Sequence, residues 1–365
     1  MKVICNRVAL SEGLGVVSSV VATRTPKPVL QCVRLVAGED GLLVVGTDLE
    51  VGIRYRVDQV EVSEPGESLV PAEKLFQITR ESVDETLVLE EADQLCHVRG
   101  KDSHFQVYGQ DPKEFPAVAE LQGKPQFSLP VGVVRQLVER TLYAAAREST
   151  RYAINGVLWQ RKGKKLSLVA TDGRRLAKAD AKIEAAKAED SQAIVPAKSV
   201  NLIGRVFHDP KQTVGVNIEP NQIVLATEQV TLASVLVEGH FPQYEDVIPR
   251  QTDSKVELDT SELLSAVRRA ALLTNEESKG VRLSFKKGEL TLASRAPEQG
   301  EATITMPVPY EGDPVDIGFN PTFLSDALRA VGADKIALEF TDPNKPGLLR
   351  AGSDFLYVVM PVSLS

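Results

Sequence analysis

The stretch Leu166-Ser167-Leu168-Val169-Ala170-Thr171-Asp172-Gly173-Arg174-Arg175-Leu176-Ala177 decides the fold, because part of it is written twice. Gly46-Thr47-Asp48-Leu49 stands 124 positions before Ala170-Thr171-Asp172-Gly173, each time behind a short β-rich run. Val70-Pro71-Ala72 and Val195-Pro196-Ala197 are 125 positions apart, and Phe115-Pro116, Phe241-Pro242 and Met360-Pro361 close three successive segments. This period exceeds the roughly 20–50 residues of solenoid repeats, so each copy is domain-sized. The spacing predicts three related domains in tandem, over 1–125, 126–250 and 251–365.

Local patterning predicts the same elements in each copy. Val133, Val134, Leu137, Val138, Thr141 and Leu142 recur at three- and four-residue steps, as do Leu263, Leu264, Val267, Ala270 and Ala271. Each set marks one face of a helix, with Thr260 or Ser261 available as a cap in the third copy. In the first copy Val16, Val17, Val20 and Val21 fit, although Gly13 and Gly15 weaken the helix by about 1 kcal/mol each. A second, shorter helix follows each Val-Pro-Ala signal, and Asn320-Pro321 takes that place in the third copy. Elsewhere the period turns to two, in runs bounded by Gly, Asn, Asp and Pro. Roughly eight strands and two helices per copy describe an α+β domain, with helices on antiparallel sheets.

Composition is that of a globular chain: 365 residues, 43% hydrophobic and 25% charged. No run approaches the ~20 apolar residues of a membrane span, and no signal-peptide core follows Lys2 and Arg7, so a soluble cytoplasmic protein without membrane partners is expected. Cys5, Cys32 and Cys96 form no paired framework and are expected to be free thiols. The four histidines are scattered along the sequence, and no metal, cofactor or catalytic residue is assigned.

Net charge is −8, which disfavours a simple basic nucleic-acid binder. The distribution reverses that impression. The expected helix windows 8–24, 71–80, 131–147, 196–207, 260–274 and 321–331 hold eleven basic residues (Arg140 among them) against five acidic ones. Basic helices in an acidic chain suit a surface that meets phosphate while the remainder repels it. No stacking aromatic series accompanies them, so contact with a duplex would be blind to sequence.

These residues also resemble a known family, the bacterial DNA sliding clamps, beta subunits of the replicative polymerase III holoenzyme. The resemblance runs the whole length. Its motifs are Gly46-Thr47-Asp48-Leu49-Glu50, Arg151-Tyr152-Ala153-Ile154-Asn155-Gly156, Ala170 to Ala177, Phe241-Pro242-Gln243-Tyr244, Asn275-Glu276, Gly280-Val281-Arg282-Leu283, Gly318-Phe319-Asn320 and Tyr357-Val358-Val359-Met360-Pro361. It implies three copies of the DNA-clamp fold and a head-to-tail homodimer closed into a ring around duplex DNA. It further implies no catalysis, an ATP-dependent clamp loader, and tethering of the replicative polymerase subunit and other clamp-motif replication and repair proteins.

Carried onto matching positions, the resemblance implies a partner-peptide pocket between the second and third copies. Its lining would be Ile154, Thr171, Gly173, Arg174, Arg175, Leu176, Pro242, Val247, Val358, Met360, Pro361 and Val362, bordered by Asn320 and Phe323. DNA contact falls to Arg24, Lys74, Arg147, Tyr152, Lys198 and Arg205. The dimer seam falls to Phe105 and Val107 in the first copy and Leu272 and Leu273 in the third. Glu73, Ala153, Asp102 and the Ser363-Leu364-Ser365 end depart from the usual pattern. From the residues alone two other readings stay open: a peptide-binding scaffold that never surrounds DNA, and a Mg²⁺-dependent nuclease or nucleotidyl transferase using Asp48 and Asp172. Ser294-Arg295 in the third copy argues against the second.

Overall fold

The computed structural model describes the chain apart from residues 148–151, 186–188, 275–279, 298 and 364–365, and apart from the Tyr152 side chain. Among the described residues the first repeat supplies β1 (Lys2–Asn6), α1 (Arg7–Ser18), β2 (Cys32–Gly38), β3 (Gly41–Thr47), β4 (Val51–Val57), β5 (Val60–Glu64), β6 (Gly66–Pro71), α2 (Ala72–Glu81), β7 (Thr86–Ala92), β8 (Leu95–Arg99) and β9 (His104–Tyr108). The second supplies β10 (Phe127–Pro130), α3 (Val131–Thr141), β11 (Gly156–Lys162), β12 (Lys165–Thr171), β13 (Arg175–Lys182), β14 (Ser191–Pro196), α4 (Ala197–Val206), β15 (Thr213–Ile218), β16 (Gln222–Ala226) and β17 (Val230–Val235). The third supplies β18 (Ser254–Asp259), α5 (Thr260–Ala271), β19 (Val281–Lys286), β20 (Glu289–Ala296), β21 (Gly300–Pro307), β22 (Val315–Phe319), α6 (Pro321–Ala330), β23 (Lys335–Phe340), β24 (Gly347–Ala351) and β25 (Phe355–Val359).

Two details correct the sequence reading. A short strand precedes the first helix of every repeat, and in the first and third its last residue sets the cap. The Asn6 side chain accepts from the N–H groups of Val8 and Ala9, and Asp259, rather than Thr260 or Ser261, accepts from Glu262. The first helices are also shorter than their windows. At the end of α1 the Ser19 hydroxyl donates back to the Val16 carbonyl, and the Ser and β-branched run beyond it is a poor helix former. Arg24 and Arg147 therefore lie past the ends of α1 and α3.

The chain gathers into two compact units, 1–132 with 184–187 and 202–236, and 133–183 with 188–201 and 237–365. The first holds a five-stranded sheet, β5-β1-β7-β8-β9, and an eight-stranded sheet, β10-β15-β16-β17-β4-β3-β2-β6. The second holds an eight-stranded sheet, β14-β11-β12-β13-β25-β24-β23-β18, and a four-stranded sheet, β21-β20-β19-β22. Helix α1 packs on α2 and on β3 and β4, and α5 packs on α6, β20 and β21. Cys5, Cys32 and Cys96 are free and buried, and desolvation raises their thiols to about 12, 11 and 12. No helix among the described residues is long and apolar enough to cross a membrane.

Each eight-stranded sheet joins two repeats through one antiparallel pair. In the first unit β17 pairs with β4, opposing Ser234 to Val51; in the second β25 pairs with β13, opposing Val359 to Arg175. The hairpins beside these joints match bond for bond. Asp48 Oδ1 accepts from Glu50 and Val51 N–H at 3.0 and 2.8 Å, and Asp172 Oδ1 accepts from Arg174 and Arg175 N–H at 2.9 and 3.0 Å. Thr47 and Thr171 donate to the carbonyls of Val51 and Arg175. The N–H of Val235 donates to Glu50 O, and that of Met360 to Arg174 O, both at 2.9 Å. The Thr-Asp motif is thus a turn-building device whose carboxylates are occupied by backbone N–H groups, which corrects the nuclease reading.

Gly156 opens β11 against Pro196 of β14, and an added Cβ would lie 2.7 Å from the Val195 carbonyl oxygen. That neighbour is backbone and cannot turn aside. Gly156→Ala is expected to destabilise the second unit by about 1–3 kcal/mol, read as a lowered midpoint in thermal unfolding; an unchanged midpoint would contradict this packing.

Candidate functional site

In the second unit the 171–175 hairpin, the turn after α3, the start of α6 and the segment after β25 meet around Arg175. Its Nε donates to Asp172 Oδ2 at 3.0 Å, Nη1 to Asp326 Oδ2 at 2.8 Å and Nη2 to the Tyr143 carbonyl at 2.7 Å. The guanidinium carbon lies 4.4 Å from the centre of the Phe323 ring and 5.7 Å from that of Tyr143, within cation–π range. The side chain is 11% exposed. Burial opposes its charge, but the Asp326 hydrogen bond and the neighbouring Tyr357 and Asp172 outweigh that, and the guanidinium holds its proton more tightly than usual. Arg175 is therefore a brace that ties the 171–175 hairpin to α6, with little of its side chain exposed.

The other expected lining residues separate by exposure. Ile154, Thr171, Leu176 and Val358 are buried, and the last two belong to an apolar cluster with Leu158, Val169, Ile194, Tyr244, Leu348 and Leu356. They form a floor. Gly173, Arg174, Pro242, Val247 and Met360 stand exposed, the last two at 51% and 41%. Phe323, Asn320, Pro361 and Val362 are half-buried, and the Asn320 side chain is engaged in capping α6 through the Thr322 N–H. Gly173 has φ +88° and nothing within 4 Å of a would-be Cβ, so the backbone there is open to a ligand's approach. The N–H of Val362 donates to Gly318 O, which keeps the C-terminal segment alongside β22. Phe241 and Ile248, the chain neighbours of Pro242 and Val247, pack against the same cluster. Sequence reasoning missed Tyr143, Tyr244 and Asp326 as parts of this frame. The Tyr244 hydroxyl donates to Gln160 Oε1 at 3.0 Å, and only the Phe-Pro-Gln-Tyr motif hinted at it.

The basic candidates divide between the units. Lys74 on α2, Arg205 on α4 and Arg24 beyond α1 are exposed in the first. Lys198 on α4 and Arg147 beyond α3 are exposed in the second; Tyr152 opens a 3₁₀ turn there, with its side chain outside the described residues, as are Arg151, Asn275, Glu276, Leu364 and Ser365. Arg205 also borders a largely apolar groove of about 490 Å³ with Arg7, Val8, Val16, Phe76 and Val206, and Arg7 was not foreseen. One of the eleven basic helix residues is withdrawn from any phosphate surface. Arg140 donates to the Val331 carbonyl at the end of α6 and pairs with Asp354 at 2.8 Å, with its side chain 7% exposed.

Phe105 and Val107, expected at the seam, lie on β9, an edge strand of its sheet. Phe105 is 41% exposed and Val107 only 9%, while Tyr108, which sequence reasoning did not single out, is 82% exposed. Leu272 is 76% exposed just past α5, and Leu273 is half-buried.

Comparison with known proteins covers the whole of this frame. Residues 1–119, 128–243 and 245–363 match the N-terminal, central and C-terminal domain models of the DNA polymerase III beta subunit. The chain is 36% identical over 361 residues to the beta sliding clamp of Pseudomonas aeruginosa, covering 98% of each, and 31% identical over 365 residues to that of Chlamydia pneumoniae, covering 100% of this chain and 99% of the other. Crystal structures of the Pseudomonas aeruginosa DNA polymerase III subunit beta and of the Bacillus subtilis polymerase sliding clamp superpose with TM-scores of 0.95 each, at 35% and 26% identity, with both chains fully covered. The chain therefore belongs to the DNA polymerase III beta subunit family, the ring-forming sliding clamps of DNA replication, which are non-catalytic processivity subunits for the polymerase on DNA.

Proposed function

We propose that two copies of this chain close head to tail into a ring around duplex DNA and hold the replicative polymerase to it. The carrying observation is the repeated joint between repeats. Strand β17 pairs with β4, and β25, its counterpart in the third repeat, pairs with β13, the counterpart of β4. The remaining counterparts, β9 and β21, are left at sheet edges, with no further strand paired to them among the described residues. The same pairing made with a second copy satisfies both edges, and the symmetry closes after two chains. Phe105, Tyr108 and Leu272 supply exposed apolar surface for that seam, while Val107 supports it from within.

In this reading the three tandem clamp domains keep the boundaries 1–125, 126–250 and 251–365. Linkage through a closed ring replaces tight binding, so DNA contacts can stay weak and mobile, screened by counterions. Arg24, Lys74 and Arg205 in the first unit, and Arg147, Tyr152 and Lys198 in the second, are the residues that meet the DNA. An ATP-dependent loader opens the ring, and the protein works in the cytoplasm.

The exposed Met360, Val247 and Pro242 around the open backbone at Gly173 receive a short apolar peptide from the polymerase and from other clamp-motif replication and repair proteins. Met360 adapts to different side chains. One such contact would be of micromolar strength, roughly −8 kcal/mol, and two sites on one ring raise retention through effective concentration.

After loading with the cognate loader and ATP, the protein should remain on circular duplex DNA in high salt and run off once the circle is cut; equal loss from both forms would overturn the ring. Phe105→Arg combined with Leu272→Arg should convert the dimer to monomer in sedimentation, and an unchanged dimer would reject this seam. Arg175→Ala leaves Asp172 and Asp326 facing each other and should destabilise the second unit by about 2–3 kcal/mol, less than a fully buried pair because the carboxylates are 20% and 22% exposed. It should also weaken a polymerase-tail peptide at least tenfold in calorimetry. Lysine at 175 should fail to restore either, lacking the planar fork; unaltered peptide affinity in Arg175→Ala would remove the brace from the binding site.

A further inference from the structure

Strands β8 and β9 bring together two of the four histidines. The strands are antiparallel, with Arg99 opposite His104 and His97 opposite Gln106, so His97 and His104 are diagonal neighbours on one face. His97 Nδ1 and His104 Nε2 lie 3.0 Å apart, with the rings stacked at 5.2 Å between centroids. This is the outer face of the sheet: Cys96, Val98 and Val107 point inward, His104 is exposed and His97 half-exposed. Glu90, opposite His97 on β7, brings a carboxylate to the same face, where Arg99 and Lys2 pair with it.

Two converging imidazole nitrogens at this separation can share one hydrogen, or they can share a cation. At metal–nitrogen bonds of about 2.0–2.1 Å, adjacent ligand atoms stand about 2.9 Å apart at right-angled corners and about 3.4 Å apart at tetrahedral ones. The observed distance falls between these limits without any movement of the strands. Imidazole favours zinc, nickel and copper over magnesium or calcium. We infer that His97 and His104 form a two-imidazole site for a divalent transition-metal ion, which clips edge strand β9 to β8. In the neutral pair one ring donates its N–H to the other. On binding, that hydrogen moves to the same ring's outer nitrogen, so both inner lone pairs face the ion and no proton is released overall. Among the described residues no group of three or more His, Cys, Asp and Glu surrounds a common point, so water completes the coordination and the affinity is modest.

Zinc chloride titrated into the full chain in a non-chelating buffer should bind at one equivalent per chain with micromolar affinity by calorimetry, and should raise the melting temperature. His97→Gln or His104→Gln should each lower that affinity at least tenfold, whereas the double change His208→Gln and His240→Gln should leave it intact. Absence of zinc binding, or binding that survives loss of both His97 and His104, overturns the site. A measurement on the unaltered chain guards against misfolded variants: substoichiometric Cu²⁺ should broaden the ring-proton resonances of His97 and His104 before those of His208 and His240, and the opposite order overturns the proposal.

Discussion

The antiparallel pair at each repeat boundary is the constraint on which the rest depends. Backbone N–H and C=O groups on a sheet edge need partners, and here the edge of one repeat satisfies the edge of the next. The consequence is that the compact units do not coincide with the repeats, since the second repeat contributes strands to both eight-stranded sheets. Because β25 is both the last strand of the chain and half of a joint, the residues just after it are held beside a hairpin nearly two hundred positions earlier. The exposed apolar surface around Met360 exists because of that register.

Arg175 shows how the second joint differs from the first. Both joints use the same Thr-Asp hairpin with the same hydrogen bonds, but Val51 occupies the place of Arg175 and Leu49 that of Gly173. Leu49 adopts φ +80°, a conformation costly for a side chain, where Gly173 adopts +88° freely. A buried guanidinium that bonds two carboxylates and one carbonyl, and stacks on two rings, locks the second hairpin to α6. Val51, at the same place in the first hairpin, has an apolar side chain that cannot make these bonds. Equivalent scaffolds thus present different surfaces, one with an open backbone and the other with a leucine standing over it.

Basic charge follows a similar division. Counting basic residues on helix windows treats Arg140 like Lys198, but the two have opposite fates. Arg140 ends a carbonyl row at the C-terminus of α6, where a cation is favoured, and it pairs with Asp354. Lys198 is exposed near the start of α4. The surplus of basic residues survives this loss, but its distribution is set by packing.

What the residues alone determined is local or periodic. The threefold repetition, the helices after Pro71, Pro196 and Asn320, the strand character of the β-rich runs and the Thr-Asp turns follow from hydrophobic period and turn chemistry, which act within a few positions. The strands opening each repeat were lost because they are only four to six residues long and run straight into a cap. Tertiary structure alone decided which arginines turn inward, since their partners lie far along the chain: 151 positions from Arg175 to Asp326 and 214 from Arg140 to Asp354. It also decided that Val107 is covered while Phe105 beside it is not, and that His97 meets His104. Period two assigns a residue to a face of a strand, but only the neighbours that cover the face determine burial.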